Sequence, residues 1–74
     1  MRVTGTNQIE IVVNGQSRLV TEGQSLSELL VFLKVDPDRV ALELNRSIIP
    51  RKDWDQTGVA GGATLEIVQF VGGG

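Results

Sequence analysis

The last three residues of the chain, Gly72, Gly73 and Gly74, have the composition that points most directly to chemistry. Ordering glycine costs backbone entropy, so folding gives no reason for three glycines in a row at a terminus. At an average glycine frequency of about 7%, a chain ends in two glycines by chance only about 0.5% of the time. A tail without side chains suits a narrow channel in a partner, because no Cβ obstructs the approach to the terminal carboxylate. We therefore expect the carboxylate of Gly74 to be the reacting group.

The rest of the composition excludes most kinds of catalysis. The 74 residues include no Cys, His or Tyr, so the commonest thiol nucleophile, the usual proton shuttle near neutral pH and the usual zinc ligands are all missing. A single domain of this size removes only about 60% of its unfolded surface from water, which leaves no room for a deep active-site cleft. Most enzyme mechanisms are therefore closed to this chain.

Charge and hydropathy narrow the range of partners and locations. Seven basic and nine acidic residues give a net charge of −2 without blocks of one sign, which argues against a nucleic-acid partner. The longest apolar stretches, such as Leu29–Leu33, are too short to span a bilayer, and residues 1–7 do not resemble a secretion signal. The absence of Cys suits a reducing compartment. We expect a cytoplasmic protein that does not bind membranes.

Two strands joined by a tight turn are predicted at the start of the chain. Ile9–Val13 places β-branched residues at alternate positions, which is the pattern of a half-buried strand. The dipeptide Asn14-Gly15 readily adopts the positive φ angles of a type I′ turn. A return strand is therefore expected over about residues 17–21.

A helix is predicted to follow the hairpin. Ser25 and Glu28 form a capping box, in which the hydroxyl and the carboxylate accept hydrogen bonds from N–H groups at the helix start. Asp36-Pro37 is expected to close the helix, since the residue before a proline disfavours helical geometry. A stripe of leucines has the spacing of a helix with one face on a core: Leu26, Leu29, Leu30 and Leu33.

Three further strands are predicted after the helix. Val40–Leu44 alternates again, Ile48-Ile49 is a short strand that Pro50 confines to a sheet edge, and Thr64–Phe70 is the last strand. Trp54 lies in a polar linker, where we expect it to cover one end of the core and to keep its N–H within reach of a partner or water.

The resulting order, β-β-α-β-β-β, allows the helix to pack across one face of a mixed sheet. This is the β-grasp architecture of the α+β class, with about five strands packed on one helix. We expect an N-terminal extension over residues 1–8, a β-grasp domain over residues 9–70 and a flexible tail over residues 71–74.

The last strand is expected to carry the docking surface. Alternation directs Leu65 and Ile67 toward the helix and places Val68 and Phe70 on the opposite face, near the tail. An exposed aromatic residue beside a reacting terminus is a plausible anchor for a partner, although Phe70 could instead cover the sheet edge within the monomer.

The sequence resembles the ThiS family of sulfur carriers over nearly all of its length, from Ile9 to Gly74. The resemblance includes the opening strand into Asn14-Gly15 and the leucine helix after Ser25. Its two most discriminating parts are residues 45–51 together with Trp54, and the C-terminal segment Leu-Glu-Ile-Val-Gln-Phe-Val-Gly-Gly-Gly. Two departures, the additional residues 1–8 and a Gly-Gly-Ala turn before the last strand, do not affect the tail.

The resemblance implies a co-substrate rather than an enzyme. A ThiF-type adenylating enzyme would use ATP to convert the Gly74 carboxylate to an acyl adenylate. Sulfur from a persulfide, supplied from cysteine by a desulfurase, would then give a C-terminal thiocarboxylate. A ThiG-type thiazole synthase would take that sulfur into the thiazole ring of thiamine. Val68, Phe70, Val71, Gly72 and Gly73 would contact these partners, and the chain itself would bind no cofactor or metal.

Three alternatives share the glycine tail. One is sulfur donation to molybdopterin in the manner of the sister family MoaD, and another is protein modification, in which Gly74 forms an isopeptide bond with a lysine. The third is an interaction domain whose glycines are incidental. The Phe70-Val71-Gly72 approach to the tail and the Pro50-Arg51 segment favour the ThiS family, since MoaD proteins usually carry a Pro-rich approach.

Overall fold

The opening hairpin forms as predicted. In the computed structural model, which describes residues 7–70, Asn14 and Gly15 have φ angles of 50° and 83°, as a type I′ turn requires. The turn joins strands β1 (Gln8–Val13) and β2 (Gln16–Thr21), which pair antiparallel. The sequence prediction of a hairpin is therefore confirmed, with each strand one residue longer at its start.

The helix α1 (Leu26–Leu33) begins as predicted but ends early. The Ser25 hydroxyl accepts from the Glu28 N–H, and the Glu28 carboxylate accepts from the Ser25 N–H, which completes the capping box. The prediction that Asp36-Pro37 closes the helix was wrong. Lys34 adopts the left-handed conformation, with a φ of 63°, and ends the helix through hydrogen bonds to the last carbonyls.

The remaining strands lie within one residue of the predicted bounds, since β4 begins at Ser47 and β5 ends at Gln69, and two short helices are added. Pro37 begins a 3-10 helix that leads into β3, and the segment around Trp54 is a second 3-10 helix rather than a linker. The elements after α1 are the 3-10 helix Pro37–Arg39, β3 (Val40–Leu44), β4 (Ser47–Ile49), the 3-10 helix Arg51–Gln56 and β5 (Thr64–Gln69).

The last strand, β5, lies in the middle of a five-stranded sheet whose order is β2-β1-β5-β3-β4. It runs parallel to β1 and antiparallel to β3. This mixed sheet, with α1 packed on it, confirms the predicted β-grasp fold. The core contains the three buried leucines of the helical stripe and the inward residues of the strands: Ile11, Val13, Val20, Leu26, Leu29, Leu30, Val40, Leu42, Trp54, Val59, Ala63 and Leu65.

Trp54 closes one end of this core, as predicted. Its side chain is buried, and its indole N–H donates to the Ile49 carbonyl over 2.8 Å. The guanidinium of Arg51 lies 5.7 Å from the ring centroid, within the range of a cation–π contact. The 3-10 helix that carries Trp54 is also tied to α1, because the Leu26 N–H donates to the Thr57 carbonyl. Trp54 therefore has a structural role in this fold.

Candidate functional site

The end of β5 is the part of the described chain that leads to the predicted reacting group. β5 ends at Gln69, and the N–H of Phe70 still donates to the Arg39 carbonyl over 2.8 Å. The backbone is therefore held, up to the last described residue, by the residue that directly precedes β3. The predicted site residues Val71, Gly72, Gly73 and Gly74 lie outside the described residues, as do residues 1–6 of the predicted N-terminal extension.

The alternation predicted for β5 is confirmed. Leu65 is fully buried and Ile67 packs against the core, so both lie on the face that α1 covers. Val68 and Phe70 remain 54% and 57% exposed. More than half of the Phe70 side chain is thus available to a partner, and no element between residues 7 and 70 covers it. That Val68 and Phe70 contact a partner stays a prediction.

Apolar and acidic side chains surround Val68 on the outer face, the face of the sheet opposite α1. Ala41 lies directly across from Val68, and Glu43 lies directly across from Glu66. Carboxylates in directly opposite positions repel each other. Ile48 of β4, across from Glu43, is 72% exposed. The outer face around Val68 therefore combines exposed apolar groups with a pair of negative charges.

Two asparagines whose contacts with β5 were not predicted from the sequence, Asn14 and Asn45, hold the strand from both sides. The Asn14 amide accepts from the Ile67 N–H over 2.7 Å and donates to the Ile67 carbonyl over 3.2 Å. The Asn45 amide accepts from the Thr64 N–H over 2.9 Å. Asn14 and Asn45 both have positive φ, at 50° and 51°. The side chains of these two turn residues therefore fix the position of β5, and with it the position of Phe70 at its end.

The described part of the chain offers neither a metal site nor a membrane span. Within residues 7–70, no group of three or more acidic, His or Cys side chains is placed to hold a metal ion. No helix in that range is long and apolar enough to cross a bilayer.

Comparison with known proteins gives a family match over most of the chain. The profile of the ThiS family matches residues 7–74, which include the glycine tail. The sulfur carrier protein ThiS of Escherichia coli is 33% identical over 66 residues, covering 89% of this chain and all of that protein. The crystal structure of the thiamine biosynthesis protein (ThiS) from Geobacter metallireducens superposes with a TM-score of 0.79 at 36% identity, over 89% of this chain and 100% of that one.

A second kind of relative is much longer than this chain. A thiazole synthase of Paramagnetospirillum magneticum is 39% identical over 66 residues, which are 89% of this chain but 20% of that protein. The chain thus spans about a fifth of the length of this relative. A segment like this one therefore occurs there within a larger protein named for thiazole synthesis.

Proposed function

The chain belongs to the ThiS family of sulfur carriers of thiamine biosynthesis, and on that premise we propose that its C-terminal carboxylate, at Gly74, carries the sulfur. The carboxylate attacks the α-phosphate of ATP on a ThiF-type enzyme, releasing pyrophosphate and forming an acyl adenylate. The terminal sulfur of a persulfide then displaces AMP. A thiol cleaves the remaining sulfur–sulfur bond, which leaves a thiocarboxylate on the chain and a disulfide on the donor.

The observation that supports this proposal most strongly is the position of β5, the strand that leads to the C-terminal residues. β5 occupies the middle of the sheet, and the amides of Asn14 and Asn45 hold it on both sides. Phe70, the last described residue, is therefore held at a fixed point beside the sheet. Pre-organisation of this kind lowers the entropy lost when the tail enters a partner's channel.

The chain supplies no catalytic group to this sequence of steps. Its sequence has no Cys or His, so activation, sulfur delivery and proton transfer fall to the partner enzymes, as expected for a co-substrate that is not itself an enzyme. ATP binds to the adenylating partner, and the chain carries no cofactor of its own. A desulfurase in the cytoplasm supplies the persulfide sulfur from cysteine.

A ThiG-type thiazole synthase is the proposed acceptor of the sulfur. Its support comes from the relatives named thiazole synthase, of which a segment similar to this chain makes up a fifth. Two activities that occur in one protein commonly act in one reaction sequence. We propose that Val68 and Phe70, which are exposed near the end of β5, contact both this enzyme and the adenylating enzyme. Val71, Gly72 and Gly73 then enter the channel of the partner.

Intact-mass spectrometry tests the proposal. The chain is incubated with ATP, a ThiF-type enzyme and a persulfide source, and the expected product is heavier by the difference between sulfur and oxygen. Adding a ThiG-type synthase with its other substrates should return the mass to its starting value as thiazole forms. A thiocarboxylate that thiazole synthase ignores but molybdopterin synthase consumes would contradict the thiamine assignment. An unchanged mass in the first step would contradict the proposal as a whole.

A further inference from the structure

The backbone groups along the two edges of β5 are hydrogen-bonded to different extents. Along a strand, successive residues direct their backbone N–H and C=O groups to opposite edges. The even-numbered residues of β5 face β3, since the Asn45 N–H donates to the Thr64 carbonyl and the Phe70 N–H donates to the Arg39 carbonyl. The odd-numbered residues therefore face the side of β1.

On the β1 side, the backbone groups of β5 have hydrogen-bond partners only as far as Ile67. The Asn14 N–H donates to the Leu65 carbonyl over 2.9 Å, and the Asn14 amide then bonds to both backbone groups of Ile67. β1 has already ended at Val13. Consequently no group within residues 7–70 pairs with the N–H and C=O of Gln69 on this side. We call this backbone position the open rung.

A cleft of about 250 Å³ lies beside the open rung, on the side of the sheet that α1 covers. Its polar lining is formed by Asn14, Gln16, Arg18 and Gln69. A strand placed next to Gln69, where β1 would lie if it continued, would direct every second side chain toward that side of the sheet. Such a side chain would enter the cleft, whose apolar lining is formed by Val13, Leu33, Val35, Val40 and Ile67.

We propose that the open rung and this cleft together receive an extended peptide segment of the adenylating enzyme, which adds to β5 as a further strand. The N–H and C=O of Gln69 bond to the backbone of the segment, and a side chain of the segment enters the cleft. Main-chain pairing of this kind supplies affinity, and the pocket for a side chain supplies selectivity. The inference rests on the proposed function, because it assigns a binding mode to the enzyme that activates the tail.

This contact is distinct from the one predicted at Val68 and Phe70, which lie on the outer face. A partner that pairs with Gln69 holds the backbone five residues before Gly74. Together, the two contacts would fix the position of β5 and the direction in which the tail enters the partner's channel.

Two variants of Gln69 separate the backbone from the side chain. Gln69→Pro removes the N–H of the open rung and places a ring where the added strand would approach. It breaks no hydrogen bond to β3, since that N–H faces the other edge. Gln69→Ala is the matched control, because it removes the exposed side chain and keeps the N–H. Calorimetry with the adenylating enzyme should show at least about tenfold weaker binding for Gln69→Pro than for Gln69→Ala. Both should melt close to the unaltered chain.

Equal affinities of the two variants would overturn the inference. If Gln69→Pro does not fold, amide hydrogen exchange on the unaltered chain decides instead. The Gln69 amide should exchange rapidly in the free chain and become protected on binding, while the Phe70 amide is protected in both states. A Gln69 amide that gains no protection in an enzyme complex that still adenylates the chain would refute this inference alone. A chain that the enzyme neither binds nor adenylates would refute the proposed function as well.

Discussion

The two faces of the sheet are built from the same strands but differ in how much of their side-chain surface is buried. On the side of α1, Leu42 and Leu65 are at most 1% exposed. On the outer face, Val68 and Phe70 keep more than half of their side-chain surface in contact with solvent. Since burial of apolar surface stabilises a fold by about 25 cal/mol per Å², the side of α1 supplies most of the hydrophobic stabilisation of the sheet. The outer face is left available for contact with partners.

The difference is sharpest within β5 itself. Leu65 anchors the strand in the core, and three residues later Val68 is exposed near the end of the strand. A single strand therefore connects the buried core to the end of the chain that is proposed to react. Changes on the two faces should have separable effects, on stability for one face and on binding for the other.

The largest expected effect comes from the core. Leu30→Ala should lower the free energy of unfolding by about 2–5 kcal/mol, because Leu30 is buried in the helical stripe. The matched control is Val31→Ala at the next helical position, which is 76% exposed and should change stability by less than about 0.5 kcal/mol. Urea denaturation measures both. Similar values for the two variants would contradict the packing of α1 on the sheet.

A smaller effect, on binding rather than on stability, is expected from the outer face. Phe70→Ala should cost at least about 2 kcal/mol of affinity, more than tenfold, for the adenylating enzyme or the thiazole synthase. Leu19→Ala is the control, since Leu19 is similarly exposed but lies on β2 at the sheet edge. Calorimetry and thermal melting would be measured on both. Unchanged affinity for both enzymes together with an early melt would assign Phe70 to the core.

Substitutions of Asn14 and Asn45 should lower the free energy of unfolding by unequal amounts. Asn14→Gly keeps the positive φ angle and loses two side-chain hydrogen bonds to Ile67, so we expect a loss of about 1–2 kcal/mol of stability. Asn45→Gly loses only one such bond, to Thr64, and should cost about half as much. Chemical denaturation of both variants provides the measurement. A larger loss for Asn45→Gly would mean that β5 is held mainly from the side of β3.

Features that depend on neighbouring residues could be predicted from the sequence. The hairpin turn at Asn14-Gly15, the capping box of Ser25 and Glu28, and the alternation in β5 are all determined within a few positions. The helix end was misplaced because Lys34, rather than a glycine, takes the left-handed conformation. No residue type marked that position in advance.

The features that the sequence could not reveal depend on distant parts of the chain. The amide of Asn14 meets Ile67, 53 positions later, only because β5 inserts between β1 and β3. The open rung at Gln69 follows from the same insertion, since it depends on where β1 ends relative to β5. For the candidate site, the sequence predicted which residues of β5 are exposed, but not what holds the strand in place.

The central claim is that the tail reacts while the domain holds it in position. The most direct measurement compares the full chain with a variant that lacks Gly73 and Gly74, and determines the unfolding midpoint and thiocarboxylate formation on the same samples. We predict an unchanged midpoint, because terminal residues that contribute little to the core can be removed without loss of stability, together with complete loss of thiocarboxylate formation. A large drop in the midpoint, or a truncated chain that still accepts sulfur, would contradict the account.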